Sequence, residues 1–386
     1  MDAARLSRGR VSSPPIEEQA RLRSRASLGA GFAVRAAFIW PALLAILFVS
    51  IYPLLVSLYI SLSRLKLVRG GFEFRFVGLD NFRDLLTGDD RAHFLGVTRS
   101  PTPLGWLVLG AGLGLLGWGL YRAWRAGASP VGMVLRVLGA AAAAAAMWLL
   151  VRTLLADGGR PGTAVVTLVY VLVGIVVQFL LGLGLAYLLT QGLPGQRFFR
   201  VVFLLPMMIT PVGVAYMFRM LTDTGKGPLQ PLWAAVGLSD FSWVNDPWGA
   251  RVAVMVGDIW QWTPFMFIIL LAALEGQDQD TVEAAMVDGA GRRQIFRHIS
   301  LPAILPVCTT VILIRLIEAF KIIDLPNVLT NGGPGTATES LSLHAYIRWR
   351  TLDLGQSAAV AYSLLFIVTV AALSYVNLVR RRVAEE

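Results

Sequence analysis

Residues 275–306 read EGQDQDTVEAAMVDGAGRRQIFRHISLPAILP. This polar stretch, 275–302, lies between two long apolar runs, 251–274 and 303–324. Its order is not that of a random linker. Thr281 is placed to cap a short helix whose first turns hold Glu283, Ala284 and Ala285. Gly289 and Gly291 can end or bend it, because glycine accepts positive φ. Ile295, Phe296 and Ile299 then suggest a second helix. Pro302 opens the next apolar run and Pro306 should kink it. The expectation is a knob of two short helices on a membrane surface. Its small apolar face (Ala284, Ala285, Ala290) would fit a partner's groove, with Glu283 and Asp288 meeting basic groups there.

The rest of the chain explains why a membrane is the setting. Of 386 residues, 56% are hydrophobic and 15% charged, against roughly 45–50% and 25% in soluble domains. Mean hydropathy is +0.64. A disordered chain, a collagen-like repeat and an ordinary cytosolic enzyme are thereby excluded. A span needs about 20 apolar residues. Eight segments qualify: 37–60, 104–121, 131–151, 164–190, 200–221, 251–274, 303–324 and 357–379. The predicted fold class is therefore an all-α polytopic membrane protein. The first apolar run is too long for a signal peptide, whose core is about 7–15 residues, so it reads as a retained span.

Basic residues lie between these runs and give a net charge of +10, which points to anionic lipid rather than nucleic acid. A basic tail is expected at 1–34, and Arg380–Arg382 begin another short one at the C-terminus. Both tails and Arg122/Arg125 favour the cytoplasmic side. The loop 61–103 must then face out despite its arginines, which leaves the charge rule undecided. In the second span, Gly110 and Gly114 are placed for close helix approach. The third contains the alanine run 140–146.

Several chemical strings fail on context. Gly112, Gly114 and Gly117 fit G-x-G-x-x-G, but inside an apolar span rather than between strand and helix. Gly225-Lys226-Gly227 lacks the rest of a phosphate loop, so no ATP site is visible. No nucleophile grouping exists, and no cofactor is implied. One cysteine, Cys308, excludes an internal disulfide. His93, His298 and His344 are far apart in sequence and give no zinc-ligand spacing, so no metal site is expected.

Polar residues within spans are costly in lipid and mark candidates for a solute path. Asp258 and Gln261 share a helix face, with Trp262 beside them. Arg315 and Glu318 share another face, where an internal salt bridge between them is the simplest expectation. Lys321 and Asp324 lie near that run's end.

The 275–302 stretch closely resembles the EAA loop of membrane subunits of binding-protein-dependent ABC importers. The match rests on Glu283-Ala284-Ala285, Asp288-Gly289-Ala290, Phe296, Ile299, Leu301-Pro302 and Pro306. The chain departs from the family at Gln277-Asp278-Gln279, where Ile-Pro is common. Trp40-Pro41, Ile51-Tyr52-Pro53 and FVGLDNF at 76–82 are similar to the start of sugar permeases, and LTNGGPGTATES at 329–340 resembles the outward loop of the maltose and glycerol-phosphate type, which favours the first of two non-identical permease subunits. The resemblance implies a cytoplasmic loop that docks on an ATPase, with Glu283, Ala284, Ala285, Asp288, Gly289, Phe296 and Pro302 as coupling residues. It places the solute site on the spans flanking the loop, where Asp258, Gln261, Trp262, Arg315 and Glu318 lie. It also implies both termini inside a prokaryotic cytoplasmic membrane. The expected partners are a second permease subunit, an ATPase dimer, an extracytoplasmic solute-binding protein, a sugar and membrane lipid. The resemblance covers about 37–90 and 160–380 but not 100–157, which reads as a transmembrane hairpin inserted into the first outward loop of a six-helix importer core. The expected organisation is a tail at 1–34, the first span and outward loop at 35–99, the hairpin at 100–157, the core at 158–380 and a tail at 381–386. The implied function is sugar import coupled to ATP hydrolysis in partner subunits, the chain itself being no enzyme. Import of glycerol phosphate or another small polar solute is the alternative, using Arg315 and Lys321 if they are unpaired. A channel has no use for an ATPase-docking loop, and a membrane enzyme would need a catalytic group that is not visible.

Overall fold

A computed structural model describes residues 39–68, 71–127, 130–192 and 194–384. The basic tail expected at 1–34 lies outside them. The chain divides into two compact units, 1–59 and 60–386. The described part of the first, residues 39–59, lies in an apolar helix, Ile39–Ser61 (α1).

The second unit is a helical bundle with short strands at its connections. Strands β1 (Ser63–Val68) and β2 (Gly71–Phe76) form an antiparallel hairpin. Two short helices follow, α2 (Asp80–Leu86) and α3 (Arg91–Phe94), then β3 (Gly96–Val97). Helices α4 (Pro103–Arg125) and α5 (Pro130–Leu154) pack on each other, and β4 (Arg160–Pro161) returns to pair with β3. Close approach of α4 and α5 falls at Gly112, where an added Cβ would lie 2.1 Å from Met147 Sδ. Gly110 and Gly114 face open space, which corrects the sequence expectation. The G-x-G-x-x-G string lies wholly inside α4, as its apolar context requires.

The centre of the bundle is α6 (Thr163–Leu189) against α10 (Pro247–Glu275). Val165, Val166, Met266, Phe267 and Leu270 are fully buried here. Helices in lipid gain little from apolar burial alone, so close fit matters more. Gly182 provides it: a Cβ there would meet Met266 Cβ at 2.6 Å.

The expected span at 200–221 is not one straight helix. It is α7 (Gln196–Met208) and α8 (Pro211–Leu221), bent by 96°, and the short helix α9 (Gln230–Ala235) follows. Pro211 lacks an N–H and disfavours helix at the residue before it. Each half is only about 16–20 Å long at 1.5 Å per residue, too short to cross about 30 Å alone.

The polar loop also differs from its expectation. Helix α11 (Gln279–Val287) is capped by Asp278, not Thr281. Asp278 Oδ1 accepts the Asp280 N–H at 3.1 Å, and Thr281 donates to Asp278 Oδ2 at 2.8 Å. The departure at Gln277-Asp278-Gln279 thus supplies the cap. The second short helix is the start of the next span, α12 (Arg292–Ala319), joined through a π-turn at Phe296–Ser300. Pro302 has no N–H to offer His298, and the Leu301 N–H reaches back five residues to Phe296 O. Helices α13 (Asp324–Thr330), α14 (Leu341–Arg350) and α15 (Leu354–Ala384) complete the chain. Helix α15 continues through 381–384, where a tail was expected.

Candidate functional site

The candidate residues fall into two groups, one between α10 and α12 and one around α11 in the loop that joins them. The first group is a pocket of about 110 Å³. It is lined by Asp258, Gln261, Trp262, Arg315 and Glu318 with Lys321, so all five solute-path candidates converge. Their pairing differs from expectation. Arg315 does not bind Glu318. Its Nη2 lies 2.5 Å from Asp258 Oδ2, and its Nε donates to Gln178 Oε1 at 2.9 Å. Gln178 Nε2 donates to Asp258 Oδ2 at 2.8 Å, closing a three-residue ring. Glu318 instead takes Lys321 at 2.7 Å, nearer the surface. The reason is burial. Arg315 is 2% exposed and needs a buried counter-charge, which Asp258 on the facing helix supplies. The Trp262 ring lies under the guanidinium, 5.0 Å away.

Gln261 ties this pocket to the broken helix. Its Nε2 donates to Ile209 O at 3.2 Å, a carbonyl freed where α7 ends. Its Oε1 is buried without a partner. Irregular backbone at membrane depth is tolerated where protein or a cavity satisfies it, and Gln261 performs that role.

At the loop end, Glu283, Ala284, Asp288 and Pro302 are exposed, and Ala285 is half-buried. Gly289 takes φ +83°, which ends α11. Val287 is 87% and Met286 56% exposed, so the knob presents apolar surface. Phe296 points inward onto Tyr187 of α6, ring centroids 4.5 Å apart. Beneath α11 lies a cleft of about 530 Å³ lined by Tyr187, Val282, Met286 and Phe296 among others. Arg200 of α7 pairs with Glu275, the last residue of α10. From Asp258 to Glu275 is about 25 Å of helix.

At the opposite end of α6 and α10, the stretch 331–340 is held by polar groups that sequence reasoning missed. Tyr170 donates to Thr338 O at 3.2 Å and Arg251 to Ala337 O at 2.7 Å. Thr167 Oγ1 accepts the Leu341 N–H at 2.9 Å, and Ser340 donates to Ile322 O at 2.5 Å. Asn81, inside FVGLDNF, is fully buried and donates to Ser61 O and Ser63 O. Gln178, Tyr170 and Arg251 each stand as lone polar groups in apolar runs, which is the sequence signal that marks them.

Two of the three histidines meet in the fold. His93 and His344 are remote in sequence, yet their rings stack with centroids 4.0 Å apart. Burial, with His93 and Arg348 beside it, pushes the His344 pKa down to about 3, so that ring is neutral. Gly225 and Lys226 donate their N–H groups to Asp223 Oδ1, which holds that carboxyl below its usual range and leaves no free phosphate cradle there.

A helical bundle with a proline-broken span, a buried polar pocket and an exposed helical knob defines a membrane transport subunit. Residues 178–384 match the family described as "Binding-protein-dependent transport system inner membrane component". The chain is 32% identical over 217 residues to the trehalose/maltose transport system permease protein MalF of Thermococcus litoralis, covering 56% of this chain and 74% of that one. It is 28% identical to the multiple sugar-binding transport system permease protein MsmF of Streptococcus mutans, covering 60% and 79%. It is 32% identical to the sn-glycerol-3-phosphate transport system permease protein UgpA of Escherichia coli, covering 50% and 65%. The crystal structure of a bacterial ABC transporter involved in import of the acidic polysaccharide alginate shares the fold, with TM-score 0.52 and 22% identity over 57% of this chain and 78% of that one.

The chain belongs to the family of binding-protein-dependent transport system inner membrane components. It is a multi-pass inner-membrane subunit of an ABC importer and not an enzyme; ATP hydrolysis belongs to separate subunits. Such a subunit works with a second permease, an ATPase and a binding protein.

Proposed function

We propose that the chain carries a neutral sugar through the pocket around Asp258, Gln261 and Trp262, and that the 275–302 loop transmits the state of the ATPase to it. Relatives named for trehalose/maltose, for multiple sugars and for glycerol phosphate support the solute class. The observation that carries the choice among them is pairing. Within the pocket, Arg315 is neutralised by Asp258 and Lys321 by Glu318, leaving no cation there for a phosphate. An aromatic face and an unpartnered Gln261 Oε1 suit a hydroxyl-rich neutral solute.

In this reading the loop end is cytoplasmic and both termini lie on that side. The helices at 103–154 form an insertion in the first outward loop. Glu283, Ala284, Ala285, Asp288 and Gly289 dock in an ATPase cleft, while Phe296 and Pro302 anchor the knob to the bundle. Helix α7 is the physical link. Its pair Arg200–Glu275 lies by the loop, and its broken end binds Gln261 at the pocket. Tilting α7 as the knobs close would shift both sites together, the shared equilibrium that coupling requires.

The test is ATP hydrolysis by the reconstituted complex with its binding protein, across neutral sugars and sugar phosphates. Stimulation by a neutral sugar is expected. Stimulation by phosphorylated solutes alone would overturn the neutral-solute reading.

A further inference from the structure

Away from the pocket and the loop, three segments distant in sequence bring His93, Glu339 and His344 together, one donor atom from each lying within 4.8 Å of the others. His93 is on α3, Glu339 ends the stretch after α13, and His344 is on α14. Glu339 and His344 are buried, while His93 retains some exposure. We propose that this cluster is a binding site for a divalent transition-metal ion of the Zn²⁺ type.

Unsatisfied chemistry is the first argument. His93 Nε2 lies 3.0 Å from Glu339 Oε2, yet their alignment makes no hydrogen bond. Both His93 Nε2 and Glu339 Oε1 are buried without a hydrogen-bond partner. Such orphans are rare, and an ion is one of their ordinary explanations. Two imidazoles and a carboxylate form a donor set that Zn²⁺ accepts, with ligand bonds of about 2.0–2.2 Å.

Orientation is the second argument. His344 Nδ1 is 3.2 Å from Thr163 Oγ1, the first residue of α6. With that nitrogen donating to Thr163, Nε2 carries the lone pair, which accepts a long bond from Arg348 Nε at 3.4 Å. Outer-shell bonds of this kind fix the tautomer of metal-binding histidines. An ion at Nε2 would displace that Arg348 bond, the longer of the two that the ring makes.

Charge is the third. Arg348 does not repel a cation unopposed, because it is held by Asp90 and by Asp353 at 3.6 Å. A bound ion requires its imidazole ligands neutral, so Glu339, Asp90 and Asp353 against Arg348 would leave two excess negative charges for a divalent ion. Access is through His93, whose side chain is 25% exposed. The bound ion would tie α3, the 331–340 stretch and α14 into one brace at the end away from the coupling loop.

The experiment uses the whole importer complex, stripped with a chelator and titrated with Co²⁺ alone. The expected result is one more bound Co²⁺ per complex than in a His93→Gln complex, with a visible ligand-field absorption that the variant lacks. Zn²⁺ should displace the Co²⁺ and raise the unfolding midpoint of the wild type only. Glu339→Gln, which retains shape, should weaken binding at least about 10-fold. His93 lies partly exposed, and an unchanged metal-free midpoint verifies that its variant folds. Equal Co²⁺ uptake by wild type and His93→Gln, or none by either, would overturn the site and leave a simple His93–Glu339 ion pair.

Discussion

The two ends of the α6–α10 pair are built on opposite terms. At the far end, the 331–340 stretch is clasped by Tyr170, Arg251, Thr167 and Ser340, and Thr338 and Ser340 are fully buried. At the loop end, α11 exposes Met286 and Val287 and uses mostly its own cap for support. One end is satisfied within the chain, whereas the other leaves surface that a partner must cover. Between them, the Asp258–Arg315–Gln178 ring fixes the helices on which both depend. Stability should therefore fall steeply for changes in the ring, less for the clasp and hardly at all for the knob, while function follows another order.

The ring should give the largest loss. Arg315→Ala leaves Asp258 charged, buried and unpaired, a loss of about 3–5 kcal/mol. A sharp drop in thermal midpoint in detergent is expected. Replacing both partners with apolar residues of similar volume should restore much of it, because no lone charge remains. A double variant as unstable as the single one would break the comparison at its centre.

The clasp comes next. Thr338 donates to Gly333 O at 3.0 Å and meets Thr330 Oγ1 at 2.6 Å. Thr338→Ala removes both part-buried bonds while Thr330 keeps its bond to Pro326 O, and should lose about 1 kcal/mol. Hydrogen exchange should quicken in 329–341 and stay unchanged in 279–295. Gly289→Ala tests the other end. An added Cβ meets nothing within 4 Å, so the effect is conformational, from φ +83°. It should be about 1–2 kcal/mol and local, read as faster exchange in α11 with the bundle midpoint retained.

The contrast also explains what sequence could and could not disclose. Apolar run length made most spans legible, since lipid demands about 20 residues whatever the packing. The loop was legible because its glycines and prolines stand at fixed offsets. Thr281 was misread as the cap because Asp278 is an equally good one, three residues earlier. The 96° break was hidden because Pro206 and Pro211 show a weak point but not its angle. The pocket residues were legible as costly polar groups, but their pairing was not. Arg315 and Glu318 are adjacent on one helix, whereas Asp258 and Gln178 reach Arg315 only through packing of three helices. His93 and His344 met for the same reason, through contacts remote in sequence.

The smallest stability effect should accompany a large functional one. Glu283 is exposed, and no ion pair involving it occurs among the described residues. Glu283→Ala removes nothing the fold uses and places a good helix former within α11. The thermal midpoint of the purified chain should not move. If the knob docks on the ATPase, the reconstituted complex should lose most solute-stimulated hydrolysis, and transport with it. Met286→Ala and Val287→Ala separate charge from apolar contact, because each deletes exposed surface that only a partner can bury. Loss of coupling in all three, with unchanged midpoints, assigns the exposed end to the interface. Normal coupling in all three would mean that the loop end is exposed for another reason and that the ATPase grips the chain elsewhere.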